Sequence, residues 1–295
     1  MNTIHTHFRL SYKIYDEAFA LSQAAQCHLY LSLSQKAIRF AVVDTARNKF
    51  VVLEDYELIT VFTPLQVAEQ LRLIAQENAL LQVQNWKLVR VAVSNQQFTL
   101  VPETLYDPVH QFDYLRLHAD LNPLQHEVYT YRHSGLEAIN IFAVESGVRL
   151  ALQGVFENQP LQLVHQTSAL IRSILHVVPR NNLRSMYAFV ERSYLTLLVV
   201  GPAGLEFCNV FHYTSPEDFI YYILFVMEEQ KMNPEQETIT LWGDITHDSS
   251  LFNILQKYVR QIKLGKKPED VEYSYKFHDM FDHRYFELYS LHLCE

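Results

Sequence analysis

Residues 27–58 read CHLYLSLSQKAIRFAVVDTARNKFVVLEDYEL. Leu29, Leu31 and Leu33 recur at every second position, and Ile38, Phe40 and Val42 take up the same period after a short polar break. A two-residue apolar period is that of a strand with one buried face. The stretch therefore predicts three successive strands, Cys27 to Ser34, Ala37 to Asp44 and Lys49 to Leu58, with Asp44 to Asn48 as one turn. The period then changes. Thr63 can cap a helix, Pro64 sits where a missing N–H loses no intrahelical bond, and Gln66 completes a capping box. Val67, Leu71 and Ile74 form a helical stripe that runs to about Leu80, and the β-branched run Trp86 to Val93 reads as a further strand.

The same grammar returns near Arg184. Ser185 to Val190, Tyr194 to Val200 and Leu205 to His212 are three candidate strands, with Gly201 to Gly204 as a turn. Sliding one copy along the other sets Tyr30 over Tyr187, Ile38 over Leu195 and Phe50 over Phe207. Ser215, Pro216 and Asp218 again supply cap, first-turn proline and acidic box residue, ahead of Phe219, Tyr222, Ile223 and Val226 on one helical face. Thr238 to Trp242 is the strand that follows. A strand, strand, strand, helix, strand order written twice is a stronger signal than either copy alone.

Between the copies, Glu127 to Arg132 and Glu137 to Val144 have strand character, and Glu145 to Val155 reads as a short helix. Pro160 to His165 is another strand, Ser168 caps a helix carrying Leu170, Ile171, Ile174 and Leu175, and Pro179 to Asn182 forms the connection onward. Beyond the second copy, Asp248 or Ser249 caps a helix with Leu251, Ile254, Leu255, Tyr258 and Ile262 on its apolar side, and Val271 to Phe277 is the last expected strand. The expected architecture is α/β, with mixed sheets flanked by helices in two domains. The first spans residues 12–180, with an accessory α/β segment at about 125–180, and the second spans 181–295.

Composition narrows the function. The 295 residues carry a formal charge of −9, which argues against a nucleic-acid partner, since phosphate neutralisation needs clustered basic groups. Only 7 residues are glycine and all lie at Gly135 or beyond, so no glycine-rich phosphate loop exists in the first copy. Cys27, Cys208 and Cys294 have neither close pairing in the sequence nor metal-ligand spacing, as expected of a reducing, cytoplasmic setting. Met1 to Leu10 lacks an apolar signal core, and no apolar run reaches the roughly 18 to 20 residues of a membrane span, so direct membrane insertion is not expected.

Three stretches carry a resemblance. Val101-Pro102-Glu103-Thr104-Leu105-Tyr106, the helix Tyr221-Tyr222-Ile223-Leu224-Phe225, and Met232-Asn233-Pro234 followed by Leu241-Trp242-Gly243-Asp244 resemble DUF3822, a bacterial family of unknown function found mainly in Bacteroidetes. The resemblance covers roughly residues 12–292. It implies a duplicated actin-like ATPase (ribonuclease H-like) fold. In active proteins of that fold, acidic and glycine-bearing turns at the first hairpin of each half grip magnesium and phosphate. Here the first hairpin, Leu33-Ser34-Gln35-Lys36, has neither acid nor glycine; the second, Val190-Glu191-Arg192-Ser193, has one acid and no glycine. Lys36 and Arg192 are candidates for phosphate, Glu191 for magnesium, and the Gly243-Asp244 turn for close backbone approach to a nucleotide.

Other groups are read more plainly. His278, Asp279, Asp282 and His283 are compact but lack a standard metal-site spacing, and fit a hydrogen-bonding patch better. Cys208 lies in an apolar strand and is expected to be a buried thiol, and no G-x-S-x-G elbow accompanies the serines. Lys263, Lys266 and Lys267 fit a solvated turn, and Tyr221 is a candidate for exposure at a protein interface. No catalytic, cofactor-binding or metal-binding residue, and no cofactor, is assigned. The favoured reading is a non-catalytic scaffold or regulatory protein with a degenerate nucleotide site and a protein partner. An unconventional magnesium-dependent nucleotide-binding protein or ATPase is the alternative, and an enzyme with loop-borne substrate residues is a third.

Overall fold

The computed structural model describes residues 7–61, 63–177 and 184–294. The first six residues and the connection expected at 179–182 lie outside the described residues. By its contacts the chain divides into two units: one runs to Ala169 and takes in Glu269–Asp279, the other comprises Leu170–Pro268 and Met280–Leu293.

In the first unit the alternating stretch folds as read, into β2 (Cys27–Leu33), β3 (Ala37–Asp44) and β4 (Lys49–Leu58), with β5 (Leu88–Val93) following helix α1 (Pro64–Glu77). Thr63 caps α1 by accepting from the Gln66 N–H, and the Gln66 side chain reaches back to the Thr63 N–H. The strand β1 (Phe8–Tyr15) was not among the expected elements, although Phe8, Leu10, Tyr12 and Ile14 carry the two-residue period; it pairs antiparallel with β4. The sheet order is β1-β4-β3-β2-β5-β9, where β9 (Leu161–His165) and β5 run parallel to β2. Every residue of β3 is buried. Its Arg39 is therefore paired with Asp55, directly opposite on β4 at 3.3 Å.

A separate sheet, β6-β8-β7, is built from β6 (Phe98–Pro102), β7 (His126–Arg132) and β8 (Ala138–Glu145). The short helix α2 (Gln111–Arg116) adds Leu115 to a small core with Val101, Leu121, Ile139 and Ile141. Helix α3 (Ser146–Val155) packs against α1, and α4 (Gln166–Val177) follows β9 directly. Gln166, not a capped Ser168, opens α4; Ser168 is fully buried and its hydroxyl accepts from the Asn140 amide instead.

The second unit repeats the first sheet. Its strands β10 (Ser185–Val190), β11 (Tyr194–Gly201), β12 (Gly204–His212), β13 (Thr238–Gly243) and β14 (Gln261–Leu264) are ordered β12-β11-β10-β13-β14, with β13 and β14 parallel to β10. That is the arrangement of β4-β3-β2-β5-β9. Helix α5 (Pro216–Glu229) buries Phe219, Ile220, Ile223, Val226 and Met227, and helix α6 (Ser250–Leu255) adds Phe252 and Leu255 to the same core. The helix expected to reach Ile262 stops at Leu255, because Gln261–Leu264 extends to pair with β13 and lays Ile262 on that core as a strand. The strand expected over Val271–Phe277 shortens to β15 (Glu272–Tyr273), parallel to β4 at Lys49 and Phe50, before a 3-10 turn. Helix α7 (Phe286–Ser290) follows, with Phe286 stacked on Trp242 at 4.4 Å between ring centres. Among the described residues no helix is long and apolar enough to cross a membrane.

Candidate functional site

In open sheets of this kind, chemistry gathers beyond the carboxyl ends of the parallel strands. Each unit has such an edge, where the first hairpin and the end of the fourth strand meet.

In the first unit the β2–β3 turn is Ser34-Gln35-Lys36. Ser34 is buried, and its N–H donates to the Ala37 carbonyl at 3.0 Å. Its hydroxyl oxygen accepts from the Lys36 and Ala37 N–H groups at 3.3 and 3.1 Å. At the end of β5, the Ser94 N–H donates to the Leu33 carbonyl at 2.9 Å and its hydroxyl to Gln166 Oε1 at 2.8 Å.

Behind these groups lies a network centred on His165. Its Nε2 is 3.1 Å from the Asn95 carbonyl, which can only accept, so Nε2 carries the proton. Nδ1 then accepts from the Thr167 hydroxyl at 2.7 Å, and Thr167 Oγ1 accepts from Asn140 Nδ2 at 2.8 Å. Complete burial pushes the imidazole pKa down to about 3, so the ring is neutral, and Phe98 stacks on it at 4.6 Å. With both ring nitrogens engaged, His165 pins β8 to β9 and is not poised as a base.

In the second unit the β10–β11 turn is Glu191-Arg192-Ser193. The Glu191 N–H donates to the Tyr194 carbonyl at 2.9 Å, as Ser34 does to Ala37. Glu191 is buried and its carbonyl accepts from the Tyr213 hydroxyl, whereas Arg192 is exposed. Burial, then the charges of Asp244 and Glu191, raise the Tyr213 pKa above the ordinary phenol range.

Gly243 has φ +93, and a Cβ there would fall 2.1 Å from the Val190 carbonyl oxygen, so only glycine fits. The close approach lets the Asp244 N–H donate to that carbonyl at 2.7 Å. The Gly243 N–H donates to the His283 carbonyl at 2.9 Å, and the Ile245 N–H to the Gly243 carbonyl at 3.0 Å. His283 also donates Nε2–H to the Ile245 carbonyl at 2.6 Å, and Arg284 lies 3.8 Å from the Asp244 carboxylate. All three N–H groups of the turn are satisfied by the chain itself.

Glu191, Gly243 and Asp244 therefore come together, whereas Gln35 and Lys36 belong to the other unit. Tyr213, His283 and Arg284 complete the cluster; no linear motif marks them. Among the described residues no three His, Cys, Asp or Glu side chains are gathered to hold a metal ion. Of the four-residue His/Asp group, His283 is buried and bound to Ile245, Asp282 pairs with Lys267 at 3.0 Å, and His278 and Asp279 fall in the first unit. The Lys266 carbonyl accepts from the Trp242 indole at 3.0 Å. Cys208 is partly exposed as a residue, but burial of its sulfur raises the thiol pKa.

The model of a family described as "Protein of unknown function (DUF3822)" matches residues 16–262. No curated protein matches the chain. A solved structure from Bacteroides thetaiotaomicron VPI-5482, a protein with actin-like ATPase fold and unknown function, is similar at 19% identity, covering 94% of this chain and 99% of that one, with a TM-score of 0.80. A PilM-PilN type IV pilus biogenesis complex is similar at 12% identity, covering 91% and 98%, with a TM-score of 0.57. These likenesses establish the fold as the actin-like ATPase fold, as the sequence led us to expect.

Proposed function

Because the chain belongs to the DUF3822 family and has an actin-like ATPase fold, we propose that it acts as a non-catalytic scaffold or regulatory protein whose nucleotide site is degenerate. One observation carries the reading: the turns that would cradle phosphate already spend their backbone donors internally. The Ser34 hydroxyl takes two N–H groups of the first hairpin, and the N–H groups of Gly243, Asp244 and Ile245 all bond within the second unit. A triphosphate bound at these donors would have to displace existing hydrogen bonds, which cancels much of what the new ones contribute. Two domains divided at about residue 180, a cytoplasmic setting and a protein partner belong to the same reading; cysteines that form no disulfide among the described residues support the setting.

A second reading is favoured by the meeting of Glu191 and Asp244 at the end of β10, where the Asp244 N–H donates to the Val190 carbonyl: an unconventional magnesium-dependent nucleotide-binding protein or ATPase using those carboxylates. Calorimetric titration with Mg-ATP separates the two. The scaffold reading expects no saturable binding tighter than about 1 mM, roughly 4 kcal/mol. Stoichiometric binding that is lost in Glu191→Ala would establish the second reading instead.

A further inference from the structure

The solvent side of α5 has an unusual make-up for a surface helix. Glu217, Tyr221, Phe225, Glu228 and Glu229 are all exposed, at spacings that set them on one stripe. Tyr221 is 60% exposed and Phe225 42%, and their rings stack at 6.0 Å with 18° between planes. The aromatic surface continues inward: Tyr221 meets Tyr222 at 5.4 Å, Tyr222 stacks on Phe211 at 4.7 Å, and Phe211 on Phe207 at 6.4 Å. Those last two residues belong to β12, the end strand of its sheet, which among the described residues pairs on one side only, with β11.

Charge says what fits there. From Gly204 to Gln230 there are five acidic residues and no lysine or arginine. Glu206 is paired with Arg184, but Glu217, Glu228 and Glu229 have no ion-pair partner among the described residues. An exposed aromatic pair bracketed by uncompensated carboxylates is complementary to a cationic chain, through ring faces and carboxylates together. A second copy of this protein would bring acid against acid. The first unit shows what the strand position accepts: on β4, the counterpart of β12, β1 lies antiparallel over Phe8–Tyr15, with Arg9 on Glu57 at 2.5 Å and Lys13 on Glu54 at 3.1 Å. A strand that uses lysine and arginine to hold an acidic edge is already part of this chain.

We propose that the β12 edge and the outer stripe of α5 form one docking surface for an extended, lysine- or arginine-bearing segment of a partner protein, added to the sheet as an antiparallel strand. The proposal supplies the partner chemistry that the scaffold reading needs and rests on that reading. Mg-ATP titration tests the turns, and the experiment below tests only this surface, so the two fail separately.

The probe is a fluorescein-labelled nine-residue peptide alternating arginine with valine, titrated with the full chain and followed by anisotropy at low salt. Control peptides carry glutamate for arginine, or N-methyl groups on alternate amides. We expect saturable binding of the arginine peptide only, weakened about tenfold or more by Tyr221→Ala with Phe225→Ala and by Glu217→Gln with Glu228→Gln and Glu229→Gln. Absence of binding, equal binding of the glutamate or N-methylated peptide, or affinities unmoved by both variants would overturn the proposal. Sedimentation equilibrium covers the remaining occupant: a dimer abolished by the aromatic double variant assigns the face to a second copy and also overturns it.

Discussion

Replacing Gly243 with alanine tests whether the turn after β13 is as tightly closed as its geometry states. At φ +93 an L-residue is strained by roughly 1–2 kcal/mol. The new Cβ would also sit 2.1 Å from the Val190 carbonyl oxygen and 3.0 Å from its carbon, so backbone must move. That movement breaks the 2.7 Å bond from the Asp244 N–H to Val190 and disturbs the 2.9 Å bond from the Gly243 N–H to His283, each worth about 1 kcal/mol. The expected destabilisation is therefore about 3–4 kcal/mol. Gly204 is the internal control: its φ is +121, but a Cβ there meets nothing within 4 Å, so Gly204→Ala should show only the backbone part, about 1–2 kcal/mol. Of the two tryptophans, Trp86 reports the first unit and Trp242 stands beside the turn. Urea unfolding followed by Trp242 fluorescence in a Trp86→Phe background gives the two values. If Gly243→Ala loses no more than Gly204→Ala, the close approach of Gly243 to Val190 is not a real constraint, and the account of the sealed turn falls with it.

Three other perturbations have outcomes set by the structure. Glu54 is fully buried and receives the Tyr15 and Tyr56 hydroxyls at 2.8 and 3.0 Å, the Asn78 amide at 2.5 Å and the Lys13 ammonium at 3.1 Å. Glu54→Ala removes the acceptor from the buried Tyr56 and Asn78 donors, while the exposed Lys13 returns to water, and should cost about 3–5 kcal/mol in chemical denaturation, with a loss under about 1 kcal/mol counting against the network. His165 has a folded pKa of about 3 against 6.5 for an unperturbed imidazole, so the unfolded chain binds the extra proton first as pH falls. Its contribution is complete above pH 6.5 and declines down to pH 3. Between pH 7 and pH 5 the protein should lose about 2 kcal/mol more than the His165→Gln variant does, and equal losses would contradict the buried neutral ring. Burial, and then the nearby Asp44 carboxylate, raise Cys27 to about 11, and burial raises Cys208, so native protein should react slowly with a thiol reagent at pH 8 and release its full three thiols only when unfolded.

The duplicated order of elements was legible because short antiparallel turns and helix caps write themselves locally. Thr63 with Gln66 and Ser215 with Asp218 form the two capping boxes the sequence implies, each with proline in the first turn. What was illegible depends on partners distant in sequence. In β1 the residues Phe8, Leu10, Tyr12 and Ile14 do alternate with polar ones, a signal the reading passed over; yet most of the strand is exposed, and its place is fixed by Glu57 and Glu54, more than forty residues away in sequence. Ile262 continues a helical spacing from Leu251, but the free edge of β13 claims it as a strand, since short apolar runs suit either state. Glu54 and Asp55, adjacent acids in the middle of a strand, resemble surface residues until Arg39, Lys13 and Asn78 are placed around them. In the candidate site, the lone glycine and acid at 243 and 244 were visible. Their seal by His283 was not, because nothing local marks a carbonyl forty residues later as the partner of the Gly243 N–H.

The short strand β15 has a consequence for how the protein is made. It comes from Glu272–Tyr273, yet it completes the sheet edge begun by Lys49 and Phe50, and the Asn48 side-chain amide donates to the Asp270 carbonyl close by. The last helix, in turn, supplies Phe286 to cover Trp242. A ribosome working from the amino terminus therefore delivers the pieces for both bodies long before it delivers their fastenings. Neither can finish folding until the residues from 270 to 286 have been synthesised, and a premature stop anywhere before residue 270 leaves both incomplete.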